Sequence, residues 1–232
     1  MPGTLHAVGL SQPARSCLLL IKEAKLNVPL ENVDLMSGAH KKEPFLSINP
    51  AGQVPAYVDG DFKLAEGGAI LQYLAESNNL TQWYPTDPHA KTKVNQWLHW
   101  NHTNTRKSSK SIFAPTKFLL SPALFGRGEV DTTEYCASLV VLDGVLAKSK
   151  FVASTEHPTI ADLFILPELD QVGPDFFEGL FDYSPYPNVE RYMADLKAAL
   201  PLSYAQNVAD AVAIKNMFQA AGAAKAAAEE KK

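Results

Sequence analysis

The chain has 232 residues, 46% hydrophobic and 20% charged, and its 21 basic and 25 acidic side chains give a formal net charge of −4. That length suggests one large or two small domains with a substantial core. The charge balance gives no overall electrostatic case for nucleic acid or an anionic membrane as partner. The two cysteines, Cys17 and Cys136, form neither a metal-type nor a redox-type pair in sequence, and no disulfide scaffold. Met1 to Gln12 lacks a basic region followed by an apolar one, and no apolar run approaches a membrane span, so a cytoplasmic address is expected.

In chain order, Leu5 to Leu10 reads as a short buried strand. Ser11-Gln12-Pro13 ends it, and Pro13 suits the first turn of a helix predicted over 14–26. A second strand is predicted over 29–35 and a short helix over 41–47. Ala56 to Val58 and Phe62 to Leu64 form a hairpin, with Asp59-Gly60 as the turn signal. Glu66 to Ser77 follows as a helix with Ile70, Leu71 and Leu74 at core spacing. The order β-α-β-α-β-β-α is a thioredoxin-like layout. Asn78 to Ala90, with Pro85 and Asp87-Pro88, marks the domain boundary. Beyond it helices are predicted over 89–113, 132–149, 159–171 and 188–199, with no evident strand. The expected organisation is an α/β thioredoxin-like domain over 1–78, a linker over 79–88, an all-α domain over 89–220, and an Ala/Lys/Glu-rich tail over 221–232.

Thr159-Ile160-Ala161-Asp162 is a capping-box pattern opening an apolar helix, and that structural role is sufficient to explain it. His99 and His102 share a helix face, but no acid or cysteine completes a metal set in sequence. Cys17 falls inside the first helix and reads as a small core residue. Arg15, in the first helical turn, reads as solvated or locally paired, with added positive potential as the functional alternative. Arg106-Lys107 faces either a co-substrate site, a dimer cleft or solvent.

The richest stretch runs from Asn49-Pro50-Ala51-Gly52-Gln53-Val54-Pro55 to Glu66-Gly67-Gly68. An X-Pro bond opening a strand is open to the cis form, which turns the Val54 N–H and C=O toward a ligand backbone. The Glu66 carboxylate and the amides of Gly67 and Gly68 stand at a helix N-terminus, where an anion is favoured. The order suits a small peptide-like ligand held on backbone groups.

These residues, with Ser11-Gln12-Pro13-Ala14-Arg15, Ala69-Ile70-Leu71, Trp83-Tyr84-Pro85, Thr159-Ile160-Ala161-Asp162-Leu163 and Tyr186-Pro187-Asn188-Val189, together resemble the glutathione transferases. The Ser11 opening, Gly38-Ala39-His40 and Trp100-Asn101-His102-Thr103 are most similar to the serine-type theta class. The resemblance implies glutathione as co-substrate, with no cofactor or metal, a small hydrophobic electrophile beside it, and a homodimer. It implies Ser11 as the catalytic hydroxyl that stabilises the glutathione thiolate, a role compatible with a plain helix N-cap. It implies Val54 and Pro55 against the cysteinyl backbone, Glu66 and Gly67 against the γ-glutamyl end, and His40, Lys41 and Gln53 against the glycine carboxylate. Gly67 departs from the family's usual Ser or Thr, and removes one hydroxyl from the binding set. Hydroperoxide reduction is a further implied activity. A non-catalytic module of elongation-factor or regulator type, and a thiol-disulfide oxidoreductase using Cys17, are the competing readings.

Overall fold

The computed structural model describes residues 3–113, 130–153, 156–177 and 179–229. Four short strands, β1 (Thr4–Ala7), β2 (Leu30–Asn32), β3 (Ala56–Asp59) and β4 (Phe62–Ala65), form one sheet in the order β2-β1-β3-β4. β1 pairs parallel with β2, Leu5 opposite Leu30, and antiparallel with β3, Leu5 opposite Tyr57. The parallel pair needs a crossover, supplied by α1 (Gln12–Glu23). β3 and β4 close the hairpin, and α3 (Gly67–Ser77) follows directly from β4. This is the thioredoxin-like layout expected. Among the described residues no strand follows Ala65.

Three segments differ from the sequence expectation. The second strand is only three residues long, although the Val33 amide still donates to the carbonyl of Ala7, the last residue of β1, at 2.9 Å. The helix predicted over 41–47 is instead a 3-10 turn at Ala39–Lys41 and a single helical turn, α2 (Phe45–Ile48), separated by the cis Glu43–Pro44 bond. The long helix predicted over 89–113 stops at Thr103, so α4 is Pro88–Thr103 and a π-helical turn covers Ser109–Phe113. Asn104 makes the break: its backbone leaves helical geometry (φ −126°, ψ −91°), and its side-chain amide caps the Trp100 carbonyl at 2.9 Å.

The remaining helices are α5 (Thr133–Leu146), α6 (Ile160–Asp170), α7 (Pro174–Phe177), α8 (Pro187–Ala199) and α9 (Tyr204–Glu229). α9 carries the Ala-rich tail in helical form to Glu229, and the last tail residues, 230–232, lie outside the described residues. α6 is the centre of the molecule. Every one of its residues is buried, and α1, α3, α4 and α8 pack against it. Burying a Leu, Ile or Phe side chain contributes about 1.5–3 kcal/mol, so this helix anchors much of the core. Its start is fixed by Asp162, fully buried, whose carboxylate accepts from the Thr159 amide (2.7 Å), the Thr159 hydroxyl (2.9 Å), the Val152 amide (3.1 Å) and the Tyr192 hydroxyl (2.9 Å).

The segment between α3 and α4 is tied to its surroundings. The Ile160 amide donates to the Trp83 carbonyl at 2.9 Å. Gln72 of α3, Tyr84 of this segment and Asn95 of α4 form a hydrogen-bonded triangle with sides of 2.7–2.9 Å. One core cluster consequently runs from Leu5 and Leu20 through Ile70 to Ile165 and Tyr192.

Candidate functional site

A cavity of about 690 Å³ opens between the sheet side and the helical side, at the start of α1. Its sheet-side wall holds Ser11, His40, Lys41, Gln53, Val54, Pro55, Glu66 and Gly67, all of the residues that the sequence nominated. Its helical wall holds Asn101, His102, Arg106, Ser109, Lys110, Phe164 and Glu168.

On the sheet side the backbone does the positioning. Ser11 precedes α1 in an extended conformation (φ −74°, ψ 124°), and its amide is held by the Val8 carbonyl at 3.0 Å. Its hydroxyl makes no cap bond to the helix and reaches only the Val54 carbonyl, at 3.4 Å. A bond that long is weak, so the hydroxyl is available to a ligand. The Val54–Pro55 bond is cis. Asn49 shapes the preceding loop, donating to the Gln53 carbonyl at 2.8 Å and accepting the Ala51 amide at 3.1 Å. Gly52 (φ 58°) lets that loop close on the His40 carbonyl, which would lie 2.7 Å from an added Cβ. Lys41 locks the same contact by donating to the Ala51 carbonyl at 3.1 Å.

Glu66 is exposed and sits at φ 69°, a left-handed geometry that a non-glycine residue holds at a cost. It precedes α3, whose first amides belong to Gly67 and Gly68. His40 has a buried Nδ1 with no hydrogen-bond partner, and burial, then Lys41, hold its pKa below the ordinary value. It is therefore a neutral imidazole at neutral pH.

Gly67 has a steric reason as well as a chemical consequence. A Cβ there would lie 2.8 Å from the Pro13 Cβ and 3.1 Å from Phe164. The space a serine or threonine would need is filled by α1 and α6, so glycine and its packed neighbours form one unit.

The helical wall works through side chains. Arg106 donates to Gln12 (3.1 Å) and to Glu168 (2.7 Å). Gln12 donates to the Ser109 hydroxyl (2.7 Å), which donates to Glu168 (3.2 Å). The four residues close a ring that joins the residue after Ser11 to α4's continuation and to α6. Glu168 is fully buried; burial pushes its carboxyl above the ordinary range, and Arg106 opposes that shift. Sequence reasoning left Arg106 undecided and missed Gln12, Ser109 and Glu168. The available signal was an acid standing inside the apolar run Leu163–Leu169.

Arg15 corrects the expectation of a solvated or locally paired side chain. It is fully buried, donating to Asn207 (3.0 Å) and Gln171 (3.2 Å), with Asp170 at 3.7 Å and the Phe176 ring beneath its guanidinium at 4.4 Å. It does not line the cavity, and it docks α1 to α6 and α9. Cys17 is buried, its thiol is pushed well above its ordinary range by burial, and it points at the Gly67 carbonyl (3.7 Å). It is a core residue, which removes the nucleophile of the thiol-disulfide reading. His102 stacks edge-on to Phe164 at 5.5 Å. Among the described residues no group of three or more His, Cys, Asp or Glu side chains could hold a metal ion, and no helix is long and apolar enough to cross a membrane.

A thioredoxin-like sheet with a serine at the first strand-to-helix turn, joined to a helical bundle across a shared cavity, defines a recognisable class of protein. Residues 1–76 match the family model for the glutathione S-transferase N-terminal domain. Human glutathione S-transferase theta-1 is 33% identical over 179 residues, covering 73% of this chain and 74% of that protein. Arabidopsis thaliana glutathione S-transferase T3 is 33% identical over 209 residues, 85% of this chain but only 35% of that longer protein. The solved structure of a Nilaparvata lugens delta-class glutathione transferase superposes with a TM-score of 0.80 at 32% identity, covering 94% of this chain and 99% of that one. The apo structure of human glutathione S-transferase T1-1 gives 0.71 at 28% identity, covering 92% and 89%. The chain belongs to the glutathione S-transferase family and, by its sequence relatives, is most like the theta class.

Proposed function

We propose that this chain is a serine-type glutathione transferase, with Ser11 as the catalytic hydroxyl. The observation that carries the reading is the Ser11 side chain: it lines the cavity at the start of α1 and spends itself on no helix cap. A free thiol ionises near pH 8.5, so only a few per cent is thiolate at neutral pH. Lowering that value by about two units corresponds to roughly 2.7 kcal/mol of anion stabilisation. The Ser11 hydroxyl donates to the sulfur and the N-terminal end of α1 adds positive potential. The thiol proton leaves to solvent, and the thiolate attacks an electrophilic carbon and displaces its leaving group.

Glutathione lies along the sheet wall in this account. Val54 pairs with its cysteinyl backbone beside Pro55. Glu66 meets the γ-glutamyl amine and the Gly67 and Gly68 amides meet its carboxylate. The glycine carboxylate reaches His40, Lys41 and Gln53. The domain limits 1–78 and 89–220, with 79–88 between, follow the same reading, as does a homodimer in solution. The electrophile lies against the helical wall, and hydroperoxide reduction is a second use of the same thiolate. The experiment is turnover of the Ser11→Ala variant beside calorimetric titration with glutathione. Loss of most turnover with binding retained supports the assignment, and a fully active variant removes it. Absence of binding at millimolar glutathione would instead favour a non-catalytic module.

A further inference from the structure

Two opposite charges on the helical wall have no role so far. Glu168 and Arg106 both line the cavity that holds Ser11. Their side chains are 0% and 37% exposed, so the acid lies in the wall and the cation at its surface. One guanidinium nitrogen, Nη1, donates both to Glu168 Oε1 (2.7 Å) and to Gln12 Oε1 (3.1 Å). Ser109 donates to the second Glu168 oxygen at 3.2 Å. A charge-assisted bond of 2.7 Å favours the ionised carboxylate against the burial that opposes it.

A buried anion in the wall of a site that must create a second anion works against that chemistry. At an effective dielectric constant of about 20, a unit negative charge roughly 10 Å from a thiol raises its pKa by about one unit. Arg106 acts in the opposite sense, so the pair comes close to cancelling at the sulfur. The other groups around Glu168 leave that balance alone. Gln12 and Ser109 are neutral, and Ser108 bonds only its backbone carbonyl (3.1 Å). Burial holds the Tyr135 and Tyr183 phenols neutral. Arg15 and Lys197 face Asp170 instead, at 3.7 Å and 3.6 Å. His102 and Lys110, also in the cavity wall, are exposed, so solvent screens them.

We infer that Glu168 is a positioning residue for the transferase reaction: it holds Arg106 at the cavity wall and offsets its charge, so that the Ser11 hydroxyl, and not a free cation, sets how readily the glutathione thiol ionises. This rests on the transferase reading. The test reads the pKa of bound glutathione from thiolate absorbance. Glu168→Gln removes the anion and leaves the cation, so the thiol pKa falls by about one unit, a ten-fold gain in thiolate at a pH below both values, although the protein melts lower. Arg106→Gln/Glu168→Gln removes both charges and stays within about 0.3 units of wild type, a two-fold change in thiolate. Simple damage to the wall weakens ionisation and does not improve it. A Glu168→Gln complex whose thiol titrates at or above the wild-type value overturns the inference. If that variant does not fold, the double variant decides, because it leaves no unpaired charge in the core. A double-variant value about one unit from wild type, in either direction, overturns the inference. A wild type that binds no glutathione refutes the transferase reading and the inference with it, whereas an unmoved Glu168→Gln value in a complex that does ionise refutes the role of Glu168 alone.

Discussion

The two walls of the cavity are built on opposite principles. The sheet wall is made of turns: Gly52 closing on His40, a cis Val54–Pro55 bond, and Glu66 at positive φ. Several of its side chains are exposed or half-exposed and little of the core depends on them. The helical wall is built around side chains that satisfy one another in the Gln12–Ser109–Glu168–Arg106 ring, and deeper in the same helix four donors surround the buried Asp162. Damage to the first wall is therefore expected to cost binding and chemistry, and damage to the second to cost stability.

The largest expected effect lies behind the helical wall. Asp162→Ala strands two amides and two hydroxyls in the core and should lower unfolding free energy by about 3 kcal/mol or more, read from the urea midpoint. Ser11→Ala is the opposite case. It should reduce turnover roughly 100-fold, the equivalent of about two pKa units, while the melting temperature barely moves, since only a 3.4 Å contact is lost. Glu66→Gln should weaken glutathione about ten-fold by calorimetry, again at nearly constant melting temperature, because the residue is exposed.

Gly67→Ser sharpens the comparison, since it stands where the walls touch. By chemistry alone the added hydroxyl should tighten glutathione. The 2.8 Å approach of Pro13 predicts instead a loss of about 1–3 kcal/mol in stability and no gain in affinity, measured by thermal melting and calorimetry. The smallest effect concerns His40. Its depressed pKa means the folded state takes up this proton only at lower pH than the unfolded chain does. Acidification below about 6.5 therefore costs stability here. A bound carboxylate would raise the value again, so glutathione binding should take up protons just below pH 6.5. Calorimetry in two buffers of different ionisation heat measures that uptake.

What was legible in the sequence follows the same division. Val54-Pro55, Glu66 at a helix start, and Thr159 with Asp162 are local patterns, and each appears in the structure where the chain order puts it. The helical side depends on partners far apart in sequence: Gln12 meets Ser109 across 97 residues in the wall, and behind it Arg15 meets Asn207 across 192. No local rule pairs such residues. The break at Asn104 was hidden for a related reason. Residues 89–113 contain neither Gly nor Pro, and what turns the chain is a side-chain cap together with the bonds that draw Arg106 and Ser109 to Glu168. Gly67 was visible as a departure from the family pattern, but its cause, the packing of Pro13 and Phe164, was not.

The central claim is that the cavity binds glutathione and ionises it at Ser11. A pH titration of the thiolate ultraviolet absorbance of the glutathione complex tests both parts at once. The wild-type complex should show an ionised thiol at neutral pH, with an apparent pKa about two units below the free value near 8.5, and the Ser11→Ala complex should return to the free value. A wild-type complex that titrates like free glutathione, or a Ser11→Ala complex that titrates like wild type, would contradict the account.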